Sequence, residues 1–353
     1  MSTKRIEHID VWRLIAVLLV IQEHFFLFSG VDKYWSQAEA YSLQIERFGE
    51  LGVLLFFSIS GFVICTALKA EKQAMGRICL RAFYVRRFFR IMPPLWLYLI
   101  TLLLLKNAGI IQHINGVQAL TSAVFVCNLS FFIDSCPWYV GHTWSLAYEE
   151  QFYLVFPVLL LWAWKSSGSQ RILMVISSLI GGAIALRFFQ QLFLSEYFSY
   201  FSFLLAGCYT ALLSPHWMQR LRNLPLFLWL LAIILLASFL TFLPDGQDKL
   251  IKALCYPLLI QLIIFGTPIG IQTVKKIFEN NRLSYLGRIS YSVYLWQELV
   301  TAYYPTTLWW QTLLYLGLVF CFAAVSFQYF ELPCQRLGSR ISDRLKMRHV
   351  INV

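Results

Sequence analysis

Charged residues are scarce in this chain of 353 residues, since Asp, Glu, Lys and Arg together make up 13% of it. A soluble domain carries roughly a quarter charged residues. The eight cysteines are scattered without the spacing of metal ligands. The sequence also contains no nucleophile elbow, Walker loop or zincin helix. These absences argue against an ordinary soluble domain and give no support to a metal centre, an α/β-hydrolase or a P-loop nucleotidase.

Apolar residues dominate the composition, since 59% of the chain is hydrophobic and the mean hydropathy is +0.63. One apolar run, at 118–133, is short and amphipathic, and we expect it to lie at the outer surface of the membrane without crossing it. The sequence therefore predicts an all-α fold, a polytopic transmembrane helix bundle with about ten spans plus this short non-crossing outer helix. The spans are expected near 11–28, 49–68, 91–106, 146–164, 172–189, 197–213, 225–243, 250–267, 285–304 and 309–330.

The formal net charge of +11 could suggest a nucleic-acid partner, but its distribution favours a membrane protein. With the N-terminus inside and ten spans, 23 of the 29 Lys and Arg residues fall on the cytoplasmic side. Basic residues concentrate on that side of membrane proteins. We therefore expect both termini to be cytoplasmic, no nucleic acid to be bound, and one membrane domain at 1–331. Residues 332–353 form a basic tail, expected to be an amphipathic helix against anionic lipid.

The first span contains the most informative polar residues, Asp10, Arg13 and His24. Ionisable side chains at membrane depth cost several kcal/mol unless they face protein or water, so they are functional candidates. A helical rise of 1.5 Å per residue separates Arg13 from His24 by roughly 16 Å. Asp10 and Arg13 are three residues apart and share a helix face. The alternative interpretation is an interfacial salt bridge and a histidine packed within the bundle.

Three arginines, Arg86, Arg87 and Arg90, precede the prolines of YVRRFFRIMPP. On a helix, spacings of three and four residues present them as one cationic patch. Arginine is suited to bidentate recognition of phosphate. The alternative is ordinary cytoplasmic flanking charge. Pro93 and Pro94 are expected to begin the next helix, since proline is tolerated in a first turn.

The segment WSLAYEEQFYL is the third candidate, with Trp144, Ser145, Glu149 and Tyr153. Trp144 falls where an aromatic belt would lie at the membrane surface. Glu149 and Tyr153 are one helical turn apart and can meet on one face. A carboxylate near an imidazole can orient it or support its protonated form. Glu149 is therefore a candidate partner for His24, with Ser145 and Tyr153 as supporting or substrate-contacting residues.

Four segments of the chain, in order, resemble the membrane acyltransferase-3 family: GELGVLLFFSISGFVI, RRFFRIMPPLW, WSLAYEEQFYLVFP and ISYSVYLWQELV. The D-x-x-R start and the R-x10-H spacing of the first span are similar as well. The resemblance extends from about Glu7 to Glu331. It implies a bacterial inner-membrane enzyme that moves an acyl group, most often acetyl from cytoplasmic acetyl-CoA, onto hydroxyls of surface or exported carbohydrates.

The family's motif residues can be carried over to this sequence one by one. The R-x10-H motif falls on Arg13 and His24, the R-x-x-R pair on Arg87 and Arg90, and the S-L-x-x-E glutamate on Glu149. No metal is implied. The resemblance thus implies acyl-CoA, a carbohydrate or lipid-linked glycan, and membrane lipid as partners.

Two motifs depart from the family pattern. The usual D-G-L-R opening is Asp10-Val11-Trp12-Arg13 here, and the late motif that usually reads Y-L-W-H ends in Gln297. Glutamine does not carry protons, so we interpret this position as structural.

The motifs together suggest a mechanism. The phosphorylated head of acetyl-CoA would contact the arginines, its pantetheine arm would thread the bundle, and His24 would act as general base with support from Glu149. The competing hypothesis is a transporter or flippase of a glycan or small molecule, because intramembrane His, Glu and Arg also form proton relays and substrate sites. Inverted repeats or paired broken helices would favour a transporter, and the sequence shows neither.

Overall fold

The computed structural model describes residues 7–28, 38–112, 114–129, 138–165, 195–242, 249–301 and 309–351. Every regular element in these ranges is a helix, which confirms the predicted all-α class. The helices are α1 (Glu7–Phe28), α2 (Ala38–Met75), α3 (Leu80–Asn107), α4 (Gly116–Ala123), α5 (Trp138–Gly141), α6 (Thr143–Lys165), α7 (Ser195–Leu212), α8 (Pro215–Arg222), α9 (Leu226–Phe242), α10 (Lys249–Phe265), α11 (Gln272–Phe278), α12 (Asn281–Arg288), α13 (Ser290–Thr301), α14 (Trp309–Ser326) and α15 (Leu332–Ile351), with a π-helical turn at Phe327–Glu331.

Three helical segments in the described residues are long and apolar enough to cross a membrane: Glu46–Met75, Leu80–Asn107 and Trp310–Met347. A fourth span results if α8 and α9, which meet at an 82° bend, are taken together. Several of the other expected spans coincide with helices, but the predicted run at 172–189 lies outside the described residues. The chain is a helical membrane protein, and the count of about ten spans stays a prediction.

The helix α3 begins earlier than the sequence suggested. Pro93 and Pro94 were expected to start a helix, but α3 runs through both of them from Leu80, so this expectation was wrong. Membrane helices tolerate internal proline because neighbouring helices and polar side chains satisfy the backbone groups that it frees. Next to the prolines, the Tyr291 hydroxyl donates a hydrogen bond to the carbonyl of Ile91 at 2.9 Å.

The segment after Glu331 is helical, as expected for the tail, and packs against α3. Arg86 donates a hydrogen bond to Ser342 at 2.5 Å, and Gly338 lies so close to Phe89 that a Cβ atom would clash with its ring. The predicted domain boundary therefore falls within a nearly continuous helical stretch from α14 through the π-helical turn into α15.

The chain divides into two compact units. The first comprises Met1–Val20, Leu43–Gly76 and Phe152–Arg288. In this unit α2 and α7 cross closely, because Gly61 lies against the backbone of Leu204 and Gly207 lies against that of Ser58. Small residues permit such close approach of helices in membranes. A side chain at either glycine would separate the two helices.

The second unit comprises Ile21–Ser42, Arg77–Gln151 and Ile289–Val353. The predicted outer run at 118–133 begins as the short helix α4, which is capped by reciprocal hydrogen bonds between Asn115 and Gln118. The short helix α5 is tied to α3, because the Tyr98 hydroxyl donates to the carbonyl of Tyr139 at 2.7 Å. This unit contains most of the residues that the sequence analysis singled out.

Candidate active site

Three segments of the second unit bring together His24, Glu298 and His142, which we call the His–Glu–His cluster. His24 lies one turn before the end of α1, Glu298 lies in α13, and His142 occupies the turn between α5 and α6. Nine of the twelve residues of α13 are buried, so this helix carries Glu298 into the interior. The cluster therefore depends on tertiary contacts between segments far apart in sequence.

A single carboxylate oxygen lies between the two imidazoles. Oε1 of Glu298 is 3.5 Å from Nδ1 of His24 and also 3.5 Å from Nδ1 of His142. The exposed fractions of the side chains are 12% for His24, 2% for Glu298 and 1% for His142. Such an arrangement can hold and transfer protons out of contact with bulk water.

Aromatic rings form the walls of the His–Glu–His cluster. Trp138 meets the His24 ring edge to face, with centroids 5.1 Å apart. Tyr98 meets the His142 ring in the same manner at 5.7 Å. Aromatic contacts of this type add about 0.5–1.5 kcal/mol beyond area burial and restrict ring orientation. Both imidazoles are thus held in defined orientations.

Ser145, which the sequence analysis singled out, forms hydrogen bonds that hold the backbone of His142. The Tyr294 hydroxyl donates to the backbone carbonyl of His142 at 2.8 Å and lies 2.7 Å from the Ser145 hydroxyl. The Ser145 hydroxyl also donates a hydrogen bond to the same carbonyl at 3.2 Å. Trp144 instead contacts Tyr148 edge to face, with ring centroids 5.8 Å apart. Ser145 therefore belongs to the surroundings of the cluster.

Gln297 borders the cluster as well. Its side chain is fully buried near the His24 imidazole, and its amide oxygen and nitrogen make no hydrogen bond among the described residues. This position is where the acyltransferase-3 pattern usually has histidine. The residue at the end of the late motif therefore lies beside the histidine of the first span.

Glu149 lies in a second polar group, with Arg87 and Glu150. Nη2 of Arg87 is 3.4 Å from Oε2 of Glu149, and its Nε is 3.3 Å from Oε1 of Glu150. Glu149 was expected to support His24. The structure instead gives it Arg87 as an ion-pair partner, and the carboxylate 3.5 Å from the imidazole is that of Glu298.

The arginine patch, Arg86, Arg87 and Arg90, lies on α3, because this helix begins at Leu80 and not at the prolines. All three side chains are half-buried. Arg86 bonds Ser342 of α15, and the charge of Arg90 acts on Glu150. The patch is thus partly neutralised within the protein, since Arg87 lies between two carboxylates.

The first unit holds the remaining predicted residues, Asp10, Arg13 and Tyr153. Asp10 and Arg13 share a helix face, as the three-residue spacing predicted, and they form the ion pair of the alternative interpretation, with 3.3 Å between Oδ1 and Nη1. The backbone of Asp10 lies directly against Gly287 of α12. Tyr153 shares a short hydrogen bond with Ser60 of α2.

Glu298 and His142 are the residues that the sequence analysis missed. Both carried a usable signal, because an acidic residue within an apolar span and a histidine beside the WSLAYEEQ segment are uncommon. Their pairing with His24 could not be inferred from spacing. Within the described residues, no group of three or more His, Cys, Asp or Glu side chains is arranged to hold a metal ion.

Comparison with known proteins gives a family and several relatives. A family described as an acyltransferase domain matches residues 6–328. The peptidoglycan O-acetyltransferase OatA of Listeria monocytogenes is 24% identical over 96% of this chain and 57% of its own length. The O-acetyltransferase OatA of Staphylococcus aureus is 28% identical over 82% of this chain and 53% of its own length.

The matched region covers nearly the whole chain but little more than half of these relatives. No solved structure gives a significant match. Since the family match extends from residue 6 to residue 328, this chain belongs to the acyltransferase-3 family.

Proposed function

We propose that this protein is a membrane O-acyltransferase that moves an acyl group, acetyl in the first instance, to a hydroxyl of a surface or exported carbohydrate. Family membership and relatives named as O-acetyltransferases support this reaction class. The observation that carries the proposal is His24, a titratable side chain buried in the bundle with a carboxylate 3.5 Å away. A histidine with such a partner is the side chain best suited to general base catalysis near neutral pH.

The reaction follows from the chemistry of esters. His24 removes the proton from the acceptor hydroxyl as that oxygen attacks the carbonyl carbon of the acyl donor. The new carbon–oxygen bond forms, the carbon–sulfur bond of the thioester breaks, and the proton passes from the imidazolium to the departing thiolate. General base catalysis of this kind typically contributes about 10²–10⁴-fold in rate.

The proposed donor is acyl-CoA from the cytoplasm, and the arginine patch is its proposed phosphate site. All three arginines of the patch are candidates for the phosphate, and the two carboxylates beside Arg87 compensate part of its charge. Arg13 is a further candidate for this role, roughly 16 Å from His24 along the axis of α1 by helical rise. Glu149 is proposed to orient Arg87.

The proposed acceptor is a glycan because the Listeria relative is named as a peptidoglycan O-acetyltransferase. The proposed location is the bacterial inner membrane with both termini in the cytoplasm, as the distribution of Lys and Arg favours. In this orientation His24 lies toward the outer side of α1, where an exported carbohydrate can reach it.

The test compares glycan acetylation in cells that lack the protein, cells that express it and cells that express His24→Ala. O-acetyl groups on purified surface glycan are counted by NMR, and the amount of each protein in the membrane is measured in parallel. We expect acetylation only with the native protein, at equal membrane levels. Equal acetylation with His24→Ala would refute the role of the histidine, and no dependence on the protein would refute the acyltransferase.

A further inference from the structure

The position of Glu298 between two imidazoles is more than a pairwise contact. One oxygen, Oε1, lies 3.5 Å from the Nδ1 atoms of both His24 and His142, so the two imidazoles share one carboxylate oxygen. The other oxygen, Oε2, is buried and has no hydrogen-bond partner among the described residues. A buried carboxylate that makes so few hydrogen bonds is costly, since each unsatisfied group loses its solvation. Packing alone does not explain why an acidic residue occupies this place.

The surroundings favour a role for Glu298 in proton chemistry. The other titratable groups near it are Tyr98 of α3, Tyr294 of α13 and Glu23 of α1. No arginine or lysine of the described residues forms an ion pair with Glu298 within 4.0 Å. The positive charge that can balance it at close range is therefore a protonated imidazole.

We propose that Glu298 is the positioning residue of the base His24 and that His142 holds Glu298 in place from the opposite side. This inference rests on the proposed acyltransferase function. A carboxylate at Nδ1 selects the tautomer that bears its proton there, and this leaves Nε2 as the basic nitrogen. The same carboxylate stabilises the imidazolium that forms when His24 takes the proton of the acceptor. The separation of 3.5 Å is longer than a hydrogen bond, and such contacts tighten when substrate is bound.

His142 is suited to hold the carboxylate because its own position is fixed. Its ring packs between Tyr98 and Tyr294, and its backbone carbonyl accepts a hydrogen bond from the Tyr294 hydroxyl. With Nδ1 directed at Oε1, it prevents the Glu298 side chain from rotating away from His24. Loss of His142 should therefore weaken the same step as loss of Glu298, to a smaller degree.

The test measures acyl transfer by purified full-length protein in detergent or liposomes, with acetyl-CoA and the glycan acceptor, over a range of pH. We expect Glu298→Gln to lower kcat by about 10–100-fold, with the KM values for both substrates essentially unchanged. Because Gln cannot stabilise the imidazolium, the acidic limb of the pH–rate profile should move to lower pH. Glu298→Asp, which keeps the charge, should retain the native limb.

A matched control removes another buried carboxylate of the same unit. Glu331 lies in the π-helical turn, where its carboxylate accepts hydrogen bonds from Ser292 and Ser326. We expect Glu331→Gln to leave the acidic limb in place. If Glu298→Gln shows the native kcat, or the native acidic limb with a loss of kcat no larger than that of the control, the proposal is overturned.

A second variant covers the case in which Glu298→Gln does not accumulate. His142→Gln should lower kcat and move the same limb. The double variant should be no worse than Glu298→Gln alone, because both changes act through one oxygen. Additive losses or an unmoved limb in His142→Gln would contradict the proposal. The two claims have different tests. The proposed function fails if the native protein transfers no acyl group, whereas the role of Glu298 fails if the native protein is active and the variants behave as just described.

Discussion

Arg87 and Glu149 form an ion pair in the second unit, with 3.4 Å between Nη2 and Oε2 and with only 15% of each side chain exposed. Glu150 contacts the Nε atom of the same guanidinium at 3.3 Å. One cation thus neutralises part of the charge of two carboxylates. Arg87 is better placed to organise α3 and α6 than to bind a phosphate alone.

The first prediction concerns stability at this ion pair. Arg87→Gln leaves two half-buried carboxylates without their cation, and breaking such a pair costs about 3 kcal/mol or more. We expect the thermal midpoint of the purified protein to fall by several degrees. Glu149→Gln should have a smaller effect, because Glu150 still pairs with Arg87. Equal midpoints for Arg87→Gln and the native protein would show that the pair contributes nothing to stability.

The second prediction separates donor binding from catalysis. Arg90→Ala should raise the KM for acyl-CoA by about 10–100-fold with little change in kcat, because a charged hydrogen bond to phosphate contributes about 1.5–3 kcal/mol. The exposed Arg282 of α12 provides a control, since Arg282→Ala should leave KM unchanged. Steady-state kinetics with varied acyl-CoA measure both. An unchanged KM in Arg90→Ala would exclude this arginine from the donor site.

The third prediction addresses Gln297, which is buried beside His24. We interpret the position as structural, so Gln297→His should transfer acyl groups at nearly the native rate. Gln297→Leu removes a buried amide that makes no hydrogen bond among the described residues, so it too should transfer acyl groups within about threefold of the native rate. A gain well beyond tenfold in Gln297→His would indicate instead that a histidine here carries a proton.

The fourth prediction is a dependence of stability on pH. His8 is buried near the start of α1, and burial together with the nearby Arg222 lowers its pKa from 6.5 to about 4, although Asp10 opposes the shift. Between these values the unfolded chain binds a proton that the folded protein does not. The free energy of unfolding should therefore fall as pH drops from 6.5 to about 4, by up to about 3 kcal/mol from this residue.

His8→Gln provides the comparison for this effect. Thermal midpoints of the native protein and the variant are measured at pH 7.5 and pH 4.5. We expect the native protein to lose more stability on acidification than the variant does. Equal losses would contradict a buried neutral His8.

The sequence was sufficient for the helical membrane class because long apolar runs have few alternatives in a bilayer. It also placed Asp10 and Arg13 on one helix face, since this depends only on local spacing. The error at Pro93 and Pro94 has a physical cause. Proline ends an isolated helix, but neighbouring helices can compensate for the lost hydrogen bonds, and these neighbours are not visible in a local sequence pattern.

The His–Glu–His cluster could be predicted only in part. His24 was recognised because an ionisable residue in an apolar span is costly wherever it packs. Its partner was assigned to Glu149 on the resemblance of one motif and the logic of acid–base pairs. The contact with Glu298 joins the C-terminal turn of α1 to α13 within the second unit, and no periodicity within either segment specifies which carboxylate meets the imidazole.

The central claim is acyl transfer that depends on His24, and the most direct measurement follows a labelled acetyl group. Purified protein is reconstituted in liposomes with acetyl-CoA labelled in the acetyl group and with glycan acceptor, and label in the glycan is counted. We predict stable incorporation by the native protein and none by His24→Ala, with equal amounts of both proteins in the liposomes. Native incorporation by His24→Ala, or movement of unmodified glycan across the membrane without labelling by either protein, would contradict the account.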